Sequence, residues 1–117
     1  MAAAAGPEEM LQALMRLGLT QVAANEFINN GITTIHKLRV LTEDALDKLI
    51  KQIHRDNQGA GLFIPFFSQQ YIHAIRFWAN RMYILGAPYP IQEVDEVMAD
   101  MWNEAMKAEN RRRQGAN

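Results

Sequence analysis

The sequence predicts an all-α fold, with a compact cluster of short helices followed by two long ones, five or six helices in total. Three observations predict it. Apolar residues recur at helical spacing in nearly every segment, and no stretch sustains the alternation of a half-buried strand. Two short helical patterns break at a glycine, in Leu17-Gly18-Leu19 and Asn30-Gly31-Ile32. Leu41-Thr42-Glu43-Asp44 then reads as the cap and acidic first turn of a longer amphipathic helix.

Taken in order, Ala2 to Gly6 reads as a loose leader. Pro7 suits a first helical position, and Glu8 and Glu9 put negative charge where the helix dipole favours it. Met10, Leu11, Leu14 and Leu17 form the stripe of this first helix, which ends at Gly18. Thr20 caps a second helix carrying Val22, Ala23, Phe27 and Ile28, closed by Gly31 in a left-handed conformation. Thr33 or Thr34 caps a short third helix with Ile35, Leu38 and Leu41. Thr42 caps a fourth, with Leu46, Leu49, Ile50 and Ile53 along one stripe and Lys48 and Lys51 toward its end.

Residues 7–54 thus make the small cluster. Arg55 to Pro65 holds two glycines and a proline and reads as a loop. A long helix over residues 66–85 follows, with Ser68 as its candidate cap and Gly86 as its terminator. After the rigid turn Ala87-Pro88-Tyr89-Pro90, a sixth amphipathic helix runs over residues 90–111, starting at Pro90 or Ile91.

Length and composition bound the function. A chain of 117 residues is one domain by size, and 49% hydrophobic with 21% charged residues is ordinary for a folded globule. The absence of cysteine excludes disulfides, zinc–thiolate sites and cysteine nucleophiles. The net charge of -1 gives no global basic field. From Gly31 to Met82, however, seven Lys/Arg stand against four Asp/Glu, a local +3 between flanks of -2 each. No apolar run approaches the roughly 20 residues of a membrane span. The start, MAAAAGPEEM, lacks the features of a signal peptide. The expectation is a soluble intracellular protein, cytoplasmic or nuclear, with no membrane partner.

Little in the chain could carry out a reaction. His36, His54 and His73 lie on different helices or helix ends, without second ligands at i+3 or i+4, so they read as surface or capping residues. Glu93, Asp95, Glu96, Asp100 and Glu104 read as a solvated face. Gly59-Ala60-Gly61 lacks the lysine, the hydroxyl residue and the preceding strand of a phosphate loop. Neither enzyme activity, nor a cofactor, nor a metal site is expected.

The last two helices point instead to association. Tyr71, Ile75, Trp78, Met82 and Leu85 form one stripe, while Phe77 and Ile84 make the other side apolar too. A helix apolar on more than one side is buried on more than one side. Ile91, Val94, Met98, Met101, Ala105 and Ala108 recur in heptad-like spacing on helix six, widened by Val97, Trp102 and Met106. Helix six can therefore fold back on helix five or meet a second chain in a homo-oligomer; Phe77, Trp78, Met101 and Trp102 are the candidate contact residues.

The alternative partner is nucleic acid. A helix-hairpin-helix module holds phosphate on backbone N–H groups exposed by glycines. Gly18 supplies the first such glycine, while Thr20 stands where the second is expected. Lys37, Arg39, Lys48, Lys51 and Arg55, with His54, Arg76 and Arg81, could supply a basic face, and Arg111 to Arg113 a basic tail.

Leu17 to Leu19, Phe27, Gly31-Ile32, Leu38 and Leu41-Thr42-Glu43-Asp44 with Leu46 resemble the pattern of SAM (sterile alpha motif) domains and their helix-hairpin-helix-like relatives. The resemblance implies a small interaction domain of five helices with a long last helix. Its loop departs from that pattern at His54-Arg55 and Gln58 to Gly61. Gly31-Ile32, Leu41 to Asp44 and Tyr71 to Arg81 are also similar in layout to the amino-terminal part of gag-like proteins of algal copia-type retroelements. That similarity implies an assembly unit of a longer structural polyprotein.

Overall fold

The computed structural model describes residues 6–115 and is all-helical. Residues 2–5 of the expected leader, and the last two residues of the basic end, lie outside the described residues. Six α-helices follow in order: α1 Pro7–Arg16, α2 Gln21–Asn29, α3 Ile35–Arg39, α4 Glu43–Asp56, α5 Phe66–Leu85 and α6 Glu96–Gly115.

The caps of the small cluster are local and simple. Thr20, Thr34 and Thr42 each accept a hydrogen bond from the backbone N–H three residues on, at 3.2, 3.2 and 3.0 Å. Each satisfies one of the amide donors that a helix start leaves free. The ends of α1 and α2 share one device. Leu19 N–H donates back to Leu14 C=O and Ile32 N–H to Phe27 C=O, across Gly18 and Gly31 at φ +101 and +94. The residue after each glycine is thereby turned inward, and Leu19 and Ile32 are both buried. Val22 departs from its expected stripe: it is exposed, and Ala24 takes the inner position beside Ala23 and Phe27.

Gly18 has a second duty. A Cβ there would stand 2.7 Å from Ser68 Oγ and 3.1 Å from Phe67 Cε2, so the α1–α2 corner rests directly on the start of α5. Ser68 is accordingly not a cap. The helix begins two residues earlier, after Pro65, and Ser68 is fully buried, its hydroxyl without a hydrogen-bond partner among the described residues. Proline already fixes its own φ, which lets the chain enter the helix there without a capping side chain.

The expected loop is also shorter than its glycines suggest. Arg55 and Asp56 continue α4, a 3-10 turn covers Gln58–Ala60, and Ile64 returns to the core. Both backbone groups of Ile64 are met by side chains: its N–H donates to His54 Nε2 at 3.0 Å, and its C=O accepts from Gln69 Nε2 at 2.9 Å.

The core joins Met10, Leu14, Leu17 and Phe27 to Leu38, Leu46, Ile50 and Ile53, and then to Ile72, Ile75 and Trp78 of α5. After α5 the chain crosses back toward α1. Arg16 donates from Nε to Val94 C=O at 2.6 Å and from Nη2 to Ile91 C=O at 3.0 Å. This clasp interrupts the expected sixth helix. Ile91–Glu93 is a separate 3-10 turn, Val94 is buried in extended backbone, and α6 starts only after Asp95, whose Oδ1 accepts from Met98 N–H at 2.9 Å.

Two alanine substitutions separate backbone strain from close packing. Gly31→Ala meets no atom within 4 Å and should lose about 1–2 kcal/mol from its positive φ alone. Gly18→Ala carries the same strain and also displaces Ser68 or Phe67, so its midpoint in urea should fall further. Equal losses at the two sites would mean that the start of α5 yields freely.

Candidate interaction surface

The pair α5 and α6, which run side by side in the same direction, forms the most distinctive surface: Tyr71 lies by Asp100, Phe77 by Trp102 and Arg81 by Glu109. A groove of about 410 Å³ lies between the carboxyl-terminal halves of the two helices and the start of α4, with Phe77, Ile84, Leu85 and Met106 beside Arg76, Arg81, Glu43 and Glu109. A second, of about 350 Å³, runs along Trp102, Ala105 and Ala108. Phe77, Arg81 and Glu109 form the ridge between them. Arg81 lies over the Phe77 ring at 5.3 Å and reaches Glu109 at 3.7 Å. Glu109 also receives Arg112, and Arg113 at 3.5 Å.

The hydrogen bond from Arg112 comes first among the forces holding the Glu109 carboxyl below its usual range, with the charges of Arg112, Arg113 and Arg81 adding to it. Toward the amino-terminal halves of the two helices the Tyr71 phenol is pushed up, by burial first and then by the carboxylates of Asp100 and Glu96. Arg76 donates from Nε to Leu41 C=O at 2.6 Å, and burial lowers its pKa while the charge of Glu43 opposes the shift.

The structure separates the four expected contact residues. Trp78 is a correction: it is only 4% exposed, packed edge-on against Tyr89 with ring centroids 6.3 Å apart, and belongs to the core. It shares the stripe of Ile75, which the cluster covers. Phe77 and Trp102 are half-buried and face each other, with ring centroids 6.1 Å apart. Met101 is 61% exposed. The expected inner stripe of helix six is rotated, a second correction. Ala99 and Asn103 are the buried residues of α6, with Met98, Trp102 and Met106 at their margin. Met101, Ala105 and Ala108 face outward with Val97, which is 80% exposed.

The residues considered for nucleic acid do not converge. Gly18 is occupied by its packing on Phe67 and Ser68, and the nearby Ala23 N–H is taken by Thr20. Arg39 stacks over the Tyr83 ring at 3.8 Å, at the carboxyl-terminal end of α5. Its neighbour Lys37 is exposed on the same short helix. Lys48, Lys51 and Arg55 share the outer face of α4, where Lys48 is paired with Asp44 at 3.1 Å. Arg55 follows His54, which stacks on Phe63 near the opposite end of α5. At 1.5 Å per residue Arg39 and Arg55 stand about 25 Å apart along that helix, with Lys48 and Lys51 between them.

The histidines hold structure. His36 Nδ1 accepts from Arg39 at 3.2 Å, and His73 Nε2 donates to Asp47 at 2.6 Å, joining α5 to α4. No group of three or more His, Asp or Glu that could hold a metal ion occurs among the described residues. No described helix is long and apolar enough to cross a membrane. Sequence reasoning missed the Arg16 clasp, which joins residues 75 and 78 positions apart, and the outward turn of Val97. No local signal marks a contact of that range. Comparison with known proteins finds no matching family model, no matching curated protein and no matching solved structure.

Two measurements probe this helix pair. In dilute solution Trp78→Ala should lose about 3–5 kcal/mol in chemical denaturation, as a buried aromatic does, whereas Met101→Ala should stay within about 0.5 kcal/mol. Similar losses would contradict their opposite placement. Because the folded-state pKa of Glu109 is depressed, its contribution to stability is present above the ordinary Glu value and is lost as pH falls through the depressed one. Glu109→Gln should flatten that part of the acid limb of the stability–pH curve. An unchanged limb would mean that the arginines around Glu109 do not hold α6.

Proposed function

We propose that this chain is a non-catalytic interaction module whose partner is another polypeptide, in the first place itself. One observation carries the reading: α6 buries Ala99 and Asn103 against the rest of the chain while presenting Val97 and Met101 to solvent. A solitary globule gains by the reverse arrangement, since the larger aliphatic side chains contribute more on burial. The three apolar residues that end α5, Tyr83, Ile84 and Leu85, are exposed as well. Large apolar side chains grouped on an exposed face, as Val97 and Met101 are one turn apart, suit association with a partner.

The resemblance of residues 10–54 to SAM domains, and of the layout from Gly31 through Arg81 to gag-like assembly units, fits the same reading and makes a structural, multi-copy role its most specific form. Nucleic-acid binding has less support. Its phosphate cradle at Gly18 is filled by Phe67 and Ser68, and the cations proposed for it are spread along α5 from Arg39 at one end to Arg55 at the other.

Light scattering over a wide concentration range tests the proposal. The apparent mass should rise with concentration, and Met101→Glu should shift that rise to higher concentration by at least about tenfold, roughly 1.4 kcal/mol of association free energy. A constant monomer mass, with no polypeptide retained on the immobilised chain, would remove this reading.

A further inference from the structure

The outer face of α6 carries two parallel stripes. Val97, Met101, Ala105 and Ala108, at spacings of four, four and three, form an apolar stripe, all exposed. One residue to its side, Glu96, Asp100, Glu104, Lys107 and Arg111 follow nearly the same spacing and form a charged edge. Positions three and four apart share a helix face, so the two stripes run side by side along the helix. The charged edge is ordered: its first three members are acidic and its last two basic.

We propose that two copies of this chain pair through α6 in antiparallel orientation about a two-fold axis near Glu104 and Ala105. This deepens the self-association reading above and rests on it. An antiparallel two-fold places the acidic half of each charged edge against the basic half of its partner's, whereas a parallel two-fold puts the two edges on opposite sides of the seam, where neither is neutralised by the other. Opposite charges at a rim fix register and orientation. With the axis at that position Met101 meets Ala108 of the second copy, and Asp100 falls between Lys107 and Arg111 of the second copy. The small side chains of Ala105 and Ala108 allow the helices to approach closely at the centre.

Such an interface is isologous, so it closes at a dimer. Among the described residues the edge already has two contacts within the chain: Asp100 and Glu96 face the Tyr71 phenol of α5, and Lys107 pairs with Glu104 at 3.8 Å, with side chains 43% and 68% exposed. A pair so open to water is weak, and its two members are free to exchange partners.

The native chain has no cysteine, so single cysteines report geometry directly. Under mild oxidation Ala105→Cys should give a covalent dimer, because the two copies of residue 105 lie beside the axis. Val97→Cys should not, since its two copies stand about 22 Å apart along the helices, beyond the roughly 7 Å Cα span of a disulfide. Charge reversal gives an independent readout. The variant carrying Asp100→Lys and Glu104→Lys, and the variant carrying Lys107→Glu and Arg111→Glu, should each lose dimer. An equimolar mixture of the two should recover it as a heterodimer.

Circular dichroism and thermal melting establish that each variant is folded. A wild-type chain that remains monomeric by sedimentation removes the self-association reading and this inference with it. A wild-type dimer with no cross-link at Ala105→Cys leaves self-association standing and removes the α6 interface. Equal cross-linking of Val97→Cys and Ala105→Cys removes the antiparallel arrangement. Cross-linking confined to Ala105→Cys, with recovery in the mixture, supports the proposal.

Discussion

The middle of α5 needs cover on more than one side, and this requirement organises the rest of the chain. Ile72, Ile75, Trp78 and Ala79 form one broad buried face, while Ala74 turns toward another. A helix buried on two sides needs a neighbour on each. The short helices supply the first: α3 and α4 both pack on α5. The return of the chain through Tyr89 and Val94, and then α6, supplies the second. The polar residues of α5 are constrained in turn. A buried donor left without an acceptor costs on the order of 1–3 kcal/mol. Arg76 Nε escapes that cost through Leu41 C=O; His73 reaches Asp47 from Nε2 while its Nδ1 stays buried without a hydrogen-bond partner among the described residues, and each bond also pins α5 to the short-helix cluster.

Legibility in the sequence follows the range of the interactions. The three threonine caps and the closing glycines of α1 and α2 act over three to five residues, and the chain spells them out. Long helical periodicity likewise placed α4 and most of α5. Ser68 misled because a serine before a helical pattern looks like a cap whether or not the helix has already begun. Only the approach of Gly18 explains why a small residue sits there. The start of α6 was hidden for a related reason. Ile91 to Val94 has helical composition, but Arg16 draws two of its carbonyls out of any helix and makes Asp95 the cap.

The contact residues were legible in kind but not in orientation. Phe77 and Trp78 are adjacent, so they point about 100° apart on a helix, and only one can face α6 squarely. The stripe containing Ile75 already assigned Trp78 to the core. For α6 the apolar residues are spread widely enough that two overlapping stripes can be drawn. Choosing between them requires knowing that Val94 is buried and that Glu109 is gathered toward Arg81 of α5. Those anchors, at the two ends of the helix, fix its rotation.

That fixed rotation gives the outward face its meaning. A helix held only by apolar burial would turn until its largest aliphatic residues met the core. Here the ends are held by the Arg16 clasp and by the ion cluster at Glu109, and the inner face carries a small residue, Ala99, and a polar one, Asn103. Asn103 Oδ1 is buried without a hydrogen-bond partner among the described residues. The chain therefore accepts weaker packing at the inner surface of α6 than its own composition allows. Arrangements that depart from the best internal packing are expected where a surface has a use of its own. On α6 the departure leaves Val97, Met101, Ala105 and Ala108 exposed and in line on a helix anchored at both ends, with Ala105 and Ala108 bordering the groove beside Phe77 and Arg81 of α5.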